Sequence, residues 1–420
     1  MLSTFNQFSD LPEDIINLII YLTKAKVYDL CLVNKYFNNN SRKIKILSNK
    51  KHPKISDRNL KELVNLTKLD IKGEKLITNE GIMNLNKLVT LKLTNNQLIN
   101  DPSVKTLTNL TSLKINYNQT ITHKSIKNLH KLKRLDVAGC NVKDKAISNL
   151  TLLTHLDITR NRLVTDKGLE NLVNLTYLNV SFNNSITSVK RFTRLNYLKL
   201  FLNNKITDYE IQHLTNLTDL QLDCNSMITD VGIKGLTNIT SIYLHNNDKI
   251  TDNGLRALTN ITHLTLSNNY NINEMFLEGV QKLKSLDISI NNNITDICLK
   301  KLTNLEVLDI SANEVITDNA IKELTKLIKL SLGENDIITG DGIENLTNLT
   351  DLDLSENELI TDKGIEKSTK LIILNLSRND SITNDGVKYL TNLEILHLSY
   401  NDMINDEVIK YLPKLEEIIR

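Results

Sequence analysis

Leucine and isoleucine recur along the chain in a fixed arrangement that dominates its hydrophobic pattern. The unit reads L-x-L-x-x-N-x-x-I-T-D-x-G-I-x-x-L-T-N-L-T, and most copies are 22 residues long. Two copies are shorter, with 21 residues from Leu135 to Leu156 and 20 from Leu178 to Leu198. Such self-similarity predicts a repeat architecture. The first leucine of L-x-L, here called the anchor, falls at Leu69, Leu91, Leu113, Leu135, Leu156, Leu178, Leu198, Leu220, Ile242, Leu264, Leu286, Leu308, Leu330, Leu352, Leu374 and Leu396, and a truncated last copy reaches Ile418.

Each copy predicts the same local structures. The L-x-L element alternates apolar and polar residues, so we expect a short strand with both leucines facing inward. The asparagine five residues after the anchor, such as Asn225, should point inward and bond the backbone of its own and the next coil. Cys140 and Glu74 replace this asparagine in two copies. The Ile-Thr-Asp corner places Thr or Asp to cap a short helix.

One copy cannot fold alone, because its few inward apolar residues do not offset the entropy of ordering 22 residues. The copies must stack, with parallel strands about 4.8 Å apart. The pattern therefore predicts an open solenoid of about 17 coils. An irregular earlier copy is expected to begin at Ile44.

These residues resemble the leucine-rich repeat family over roughly residues 55–420. The resemblance implies an α/β fold, a right-handed solenoid with parallel strands on its concave face. The I-T-D-x-G-I element is similar to the repeats of F-box-associated leucine-rich proteins. The 22-residue length with L-T-N-L-T is similar to bacterial internalin-type repeats. Repeat type alone does not decide between the functions of these groups.

The first forty residues carry a different pattern. Ser9-Asp10-Leu11-Pro12-Glu13-Asp14 is typical of a helix start, with a capping candidate and Pro in the first turn. The predicted helix runs to Leu22, and its polar residues form one narrow stripe. Because apolar side chains cover most of its circumference, the helix should pack against two apolar surfaces. A helix that only capped the repeats would instead expose a broad polar face to solvent.

Together with Val27 to Phe37, this helix resembles the F-box motif over about residues 8–40. In that family a three-helix element docks on the Skp-type adaptor of cullin–RING ubiquitin ligases. The alternative is a plain N-terminal cap. The resemblance implies the adaptor-binding residues Leu11, Pro12, Ile15, Ile16, Ile19, Leu22, Leu30, Val33 and Phe37. We predict an F-box-like helical element in residues 1–42, a linker and irregular first repeat in 43–68, and the solenoid in 69–420.

Most outward strand positions are small or polar, but one stretch carries large apolar side chains. An exposed apolar patch with polar surroundings is a candidate partner site, and Tyr is favoured at interface centres. The alternative is that the side chains tuck into a coil edge beside the shortened copy. The predicted target-binding residues are Tyr177, Phe182, Tyr197, Phe201, Leu202 and Tyr243.

Charge is unevenly distributed along the chain. Residues 1–300 carry 39 Lys and Arg against 26 Asp and Glu, and residues 301–420 carry 12 against 23. This asymmetry can orient a partner, or it can be solvated surface alone. The acidic strand-side residues could receive a basic segment, or they could be common filler of such strands; they are Asp309, Glu334, Asp351, Asp353 and Glu356.

The sequence shows no pattern of enzyme chemistry, so we expect neither catalysis nor a cofactor or metal. The overall charge of +2 and the lack of a long apolar run predict no nucleic-acid or membrane partner. No secretory signal is recognisable, so we expect the protein in the cytoplasm or nucleus, in a host cell if the source is viral. We also expect the chain to be a monomer by itself.

The leading functional hypothesis is a non-catalytic substrate-recognition adaptor of a cullin–RING (SCF-type) ubiquitin ligase. In it, the F-box-like element docks on the Skp-type adaptor and the repeats bind a target protein. The alternatives are a general protein-interaction scaffold without a ubiquitin role and an internalin-like adhesion module.

Overall fold

A computed structural model of the chain describes residues 45–48, 55–73 and 76–420. The chain divides into two compact units, residues 1–187 and 188–420, here called the N-terminal and C-terminal units. Their boundary falls inside the copy that is two residues short. The F-box-like element and its nine predicted adaptor-binding residues lie outside the described residues, so they stay predictions.

In the described part of the N-terminal unit, strands alternate with short helices, and consecutive strands pair in parallel. The strands are β1 (Ile46–Ser48), β2 (Lys68–Lys72), β3 (Thr90–Thr94), β4 (Ser112–Lys114), β5 (Arg134–Asp136), β6 (His155–Asp157) and β7 (Tyr177–Asn179). The helices are α1 (Asp57–Lys61), α2 (Asn79–Ile82), α3 (Asp101–Val104), α4 (His123–Ile126), α5 (Asp144–Ile147) and α6 (Asp166–Leu169).

The C-terminal unit, all of which the structure describes, repeats the same alternation. Its strands are β8 (Tyr197–Lys199), β9 (Asp219–Gln221), β10 (Ser241–Tyr243), β11 (His263–Thr265), β12 (Ser285–Asp287), β13 (Val307–Asp309), β14 (Lys329–Ser331), β15 (Asp351–Asp353), β16 (Ile373–Asn375), β17 (Ile395–His397) and β18 (Glu417–Ile419). Its helices are α7 (Asp208–Ile211), α8 (Asp230–Ile233), α9 (Asp252–Leu255), α10 (Glu274–Leu277), α11 (Asp296–Leu299), α12 (Asp318–Ile321), α13 (Gly340–Ile343), α14 (Asp362–Ile365), α15 (Asn384–Val387) and a final 3₁₀ helix (Asp406–Tyr411).

Strand register confirms the predicted solenoid within each unit. Every pairing places one anchor opposite the next, as with Leu69 and Leu91 or Leu308 and Leu330. These anchors are fully buried. The earliest copy differs from expectation, because β1 places Leu47, not Ile44, opposite Leu69. Its anchor therefore lies three residues later than predicted, at the regular 22-residue spacing.

The repeated asparagine faces inward, as predicted, and joins consecutive coils. Asn225 is 1% exposed, and its Nδ2 donates to the carbonyls of Leu200 and Asn203 in the preceding coil at 3.2 and 2.9 Å. Its Oδ1 accepts from the amides of Met227 and Ile228, both at 3.0 Å. One buried side chain thus satisfies four backbone groups of two consecutive coils.

The Ile-Thr-Asp corner does more than cap its own helix. The Thr229 hydroxyl accepts from the Val231 amide, which is the predicted cap of α8. Asp208 of the preceding coil accepts from the Thr229 amide at 2.8 Å and from its hydroxyl at 2.6 Å. The carboxylate lies so close to Gly232 that a Cβ there would stand 2.4 Å from Asp208 Oδ1. The aspartate and glycine of the repeat therefore belong to one contact between coils.

The shortened copy omits its helix, and neighbouring groups compensate. Val189 and Phe192 are fully buried where regular coils carry Ile and Leu, and we infer that the larger ring fills space left by the missing turn. Glu210 of α7 is only 9% exposed, and its carboxylate accepts from the amides of Val189 and Lys190 at 2.9 and 3.3 Å. The missing helix is thus replaced by one ring and one carboxylate.

The 21-residue copy interrupts the asparagine row. Cys140 is buried, and its Sγ contacts the Ile115 carbonyl at 3.0 Å. Because this turn is one residue shorter, buried Val142 follows the cysteine by two positions, whereas the matching isoleucine follows asparagine by three elsewhere. In the next coil Asn161 still accepts two backbone amides, but its buried Nδ2 has no hydrogen-bond partner among the described residues. The Asn row is therefore discontinuous at this point.

Candidate interaction surfaces

The strand face of each unit is formed by side chains on either side of the buried anchors. In the N-terminal unit this face holds a polar cluster on β5 and β6. Asp136 lies 3.4 Å from Lys114 Nζ and 3.1 Å from His155 Nε2, and Arg134 Nη2 lies 3.2 Å from the same imidazole nitrogen. Although burial opposes ionisation, His155, Lys114 and Arg134 hold the pKa of Asp136 below its ordinary value.

Two predicted target-binding residues lie beside this cluster. Tyr177 is the first residue of β7, and its ring stacks on His155 with centroids 3.7 Å apart. Phe182 follows β7 with a φ of 56°, and the Arg160 guanidinium lies 4.4 Å from the centre of its ring. Both side chains are half-buried. Each ring therefore has one face covered by a neighbouring side chain.

The other four predicted target-binding residues lie in the C-terminal unit. Tyr197 begins β8, Phe201 and Leu202 follow it, and Tyr243 ends β10. All four are half-buried, and Leu202 has a φ of 51°. They occupy strand-face positions or the turn beside them, as expected. Their role in target binding stays a prediction.

The strand face of the C-terminal unit is acidic over β9 to β13. Its outward strand positions include Asp219, Asp287 and Asp309 and no Lys or Arg. Burial raises the pKa of Asp287, and the charge of Asp309 raises it further. Burial likewise raises the pKa of Asp223, which follows β9. This face carries carboxylates whose charge is poorly compensated.

The acidic residues singled out in the sequence lie on or beside the same face. Asp309, Asp351 and Asp353 belong to β13 and β15, and Glu334 and Glu356 occupy turns with positive φ. The structure pairs two of the five: Lys329 lies 2.8 Å from Asp351, and Arg378 lies 2.8 Å from Glu356. Part of this run is therefore neutralised within the chain.

The sequence interpretation missed an apolar row on the helices. The second residues of α7, α8, α10 and α11 are exposed at 59, 51, 68 and 61%, whereas the corresponding residue of α9 is Asn253. The sequence did contain a signal for these exposed residues. Each directly follows the acidic residue that begins its helix, a position where most other copies carry a polar side chain. The four residues are Tyr209, Val231, Met275 and Ile297.

Neither metal binding nor thiol chemistry is favoured by the described residues. No group of three His, Cys, Asp or Glu among them could hold a metal ion. Burial raises the pKa of Cys140 and of Cys298 to about 11, so both thiols stay protonated at neutral pH. Within the same residues, no helix has the length and apolar character needed to cross a bilayer.

Comparison with protein families agrees with this geometry. A leucine-rich repeat model matches residues 128–150, 149–173, 171–189, 213–237, 235–259, 345–367, 367–390 and 389–412. A two-copy leucine-rich repeat model matches residues 281–323. The matched segments make up just over half of the chain. The chain belongs to the leucine-rich repeat family. Proteins of this family serve as protein-interaction scaffolds. The comparison with curated proteins found no match to this chain.

Solved structures resemble the leucine-rich repeat chain in fold. A leucine-rich repeat protein of Leptospira interrogans is 24% identical, with a TM-score of 0.54, over 90% of this chain and 100% of that one. TLR13 in a complex with ssRNA13 is 24% identical, with a TM-score of 0.52, over 90% of this chain and 57% of that one. An internalin of Listeria monocytogenes is 28% identical over 82% of this chain and 89% of that one, but its TM-score of 0.43 supports no argument.

Proposed function

We propose that this chain is a non-catalytic substrate-recognition adaptor of a cullin–RING (SCF-type) ubiquitin ligase. Residues 1–42 dock on the Skp-type adaptor, and the repeats hold a target protein in the cytoplasm or nucleus. The chain itself performs no bond chemistry; it raises the effective concentration of target beside the ubiquitin-loaded enzyme.

The observation that carries the proposal is the apolar pattern of residues 11–37, joined to a repeat solenoid. Leu11, Ile15, Ile16, Ile19 and Leu22 occupy most of a predicted helix circumference, which favours a second protein as one of its contacts. The resemblance of this pattern to the F-box motif names the partner. The solenoid supports the other half of the role, because each unit offers a strand face of half-buried rings and charged groups.

Direct binding of the purified full-length chain to a purified Skp-type adaptor tests the docking half. Ile16→Asp combined with Ile19→Asp should abolish binding, because two carboxylates would be buried in the interface. Asn17→Asp, which adds charge to the polar stripe, is the matched control and should bind normally. Failure of the unmodified chain to bind any Skp-type adaptor would reject the ligase role and leave a general interaction scaffold or an internalin-like adhesion module.

The predicted aromatic positions test the target half. Tyr197→Ala with Phe201→Ala in the full chain should lose the proteins that the unmodified chain retains on a column. Tyr389→Ala, an exposed tyrosine after α15, is the control and should retain them. Unchanged retention by the double variant would remove these two residues from the target site.

A further inference from the structure

A second surface, on the N-terminal unit, combines high positive charge with few internal partners. Residues 81–135 contain nine Lys and Arg and a single acidic residue, Asp101. Asp101 accepts hydrogen bonds from Thr122 and Ser125, so its charge is already engaged. The cations of this stretch therefore dominate the local electrostatic potential.

Most of these cations lie on the return segments, which run from the end of a helix to the first residue of the next strand. Three consecutive return segments, residues 83–90, 105–112 and 127–134, lie side by side. Asn109 Nδ2 donates to the Asn86 carbonyl at 2.9 Å, and the Lys133 amide donates to the Thr111 carbonyl at 2.8 Å. The exposed cations of this basic return surface are Lys87, Lys105, Lys127, Lys131, Lys133 and Arg134.

Two of these cations are held in place by neutral side chains. Lys131 Nζ donates to Asn109 Oδ1 at 2.7 Å, and Lys87 Nζ donates to Asn65 Oδ1 at 2.6 Å. In the described part of the chain, none of the six lies within ion-pair distance of a carboxylate. Neutral amide acceptors thus fix the ammonium groups of Lys87 and Lys131 and leave their charge available to a ligand.

The same segments of the C-terminal unit behave differently. There Lys284 lies 2.7 Å from Glu306, and Lys301 lies 2.9 Å from Glu278. Lys367 lies 3.4 Å from Glu344. Lysines bonded to asparagine, such as Lys282 and Lys326, also occur in the C-terminal unit, but there the return segments carry acidic residues as well. Return segments 83–90, 105–112 and 127–134 carry cations and no acidic residue.

We propose that the basic return surface binds a short acidic segment of a partner protein. This inference deepens the proposed function, on which it rests, by assigning the chemistry of the target. A polypeptide fits better than a nucleic acid because the three return segments carry no Tyr, Phe or Trp on which bases could stack. The excess of positive charge is also confined to the N-terminal unit, because the C-terminal unit carries 23 Lys and Arg against 34 Asp and Glu.

Fluorescence anisotropy of the full chain with a labelled octaglutamate peptide, in low salt, tests the proposal. The test variant is Lys87→Glu with Lys131→Glu. The matched control is Lys282→Glu with Lys326→Glu, because these lysines occupy the same repeat position, lie the same 44 residues apart and make the same bond to asparagine. We expect about tenfold weaker binding for the test variant, less than about twofold for the control, and loss of binding as salt rises.

Three results would overturn the proposal. The first is equal peptide affinity for the test and control variants. The second is tighter binding of an eight-nucleotide RNA with the same variant dependence, which would make the surface a nucleic-acid site. The third is self-association of the chain in sedimentation that the test variant abolishes, which would make the occupant a second copy. Skp-type adaptor binding is measured with separate residues, so failure of either experiment leaves the other interpretable.

Discussion

The two units use one repeat but differ in regularity and in charge. In the C-terminal unit, each asparagine from Asn225 to Asn401 donates to the preceding coil. In the N-terminal unit this row is interrupted at Cys140 and Asn161 and resumes at Asn183, whose Nδ2 donates to the Asn161 carbonyl. The N-terminal unit carries 28 Lys and Arg against 15 Asp and Glu, a formal charge of +13, and the C-terminal unit carries 23 against 34, or −11.

Comparing the two units distinguishes the residues that the fold requires from the exposed residues that can vary. Buried anchors and a parallel register persist across both the interrupted and the uninterrupted asparagine rows. Lys131 and Lys282, at the same repeat position, bond asparagine in both units, whereas return-segment lysines such as Lys284 pair with glutamate in the C-terminal unit. Exposed positions are therefore free to define a partner, whereas the inward row constrains the length of each coil.

The largest expected effect concerns the one coil of the fully described C-terminal unit that lacks a helix. Phe192→Ala should lower the free energy of unfolding by about 3–5 kcal/mol, because it leaves a cavity. Phe192→Leu restores the residue of regular coils yet should still cost about 1 kcal/mol, because no helical turn fills the space. Urea denaturation measures both. A neutral Phe192→Leu would contradict the compensation inferred here.

The asparagine rows of the two units can be compared directly. Asn335 is fully buried and makes four backbone hydrogen bonds, whereas Asn161 makes only the two that its Oδ1 accepts. Asn335→Ala should therefore cost about 3 kcal/mol and Asn161→Ala about half of that. Equal losses in urea melts would show that the interruption at Cys140 has no energetic consequence.

The corner aspartates provide a smaller contrast. Asp101 accepts from Thr122 and from the buried Ser125 hydroxyl, whereas Asp230 accepts only from Thr251 and lies beside Gly254. Asp101→Ala should cost about 2 kcal/mol and Asp230→Ala about 1 kcal/mol.

Asp101 also gives the pH dependence of this contrast. Burial opposes ionisation, but the bonds from Ser125 and Thr122 keep the pKa of Asp101 below the ordinary value of 3.8. Its stabilising contribution is therefore complete above pH 3.8 and is lost as pH falls through the lower folded value. Thermal melts of the unmodified chain and of Asp101→Ala should converge in acid, and a constant difference would exclude this origin.

The smallest effect is a gain in stability. Because burial raises the pKa of Asp287, its ionised form destabilises the fold at neutral pH, and its stabilising contribution is complete only below 3.8. Asp287→Asn keeps an oxygen for the Ser289 amide and hydroxyl and should raise stability at pH 7 by roughly 0.5 kcal/mol. The gain should vanish at pH 3; a gain of the same size there would point to another cause.

Much of the fold could be predicted because the same pattern of apolar and polar residues recurs in every copy. The strand positions, the inward asparagine and the threonine cap all follow from periodicity and hydrogen-bond accounting. The bond from Asp208 to Thr229 could not be predicted in the same way, since the two residues lie 21 positions apart and one copy alone does not show which coil a carboxylate reaches. The first anchor was misplaced at Ile44 because Ile44-Lys45-Ile46 imitates the strand element.

The interaction surfaces were less predictable. The size of Tyr177 is evident from the sequence, but its stacking on His155 depends on strand register. The exposed apolar residues Tyr209, Val231, Met275 and Ile297 were missed because they come together only when the helices of neighbouring coils stack. The difference between paired Lys284 and amide-held Lys131 is likewise invisible until the neighbouring coil supplies its acceptor.

The one-directional bonding of the asparagine row has a consequence for modularity. Each amide serves its own turn through oxygen and the preceding turn through nitrogen, so a complete copy brings every donor and acceptor that its insertion requires. Duplicating 22 residues between Asn225 and Asn401 would therefore extend the array without redesign, whereas a half-copy would strand polar groups in the interior. The number of coils can therefore change by whole copies while the hydrogen bonding of the interior stays the same.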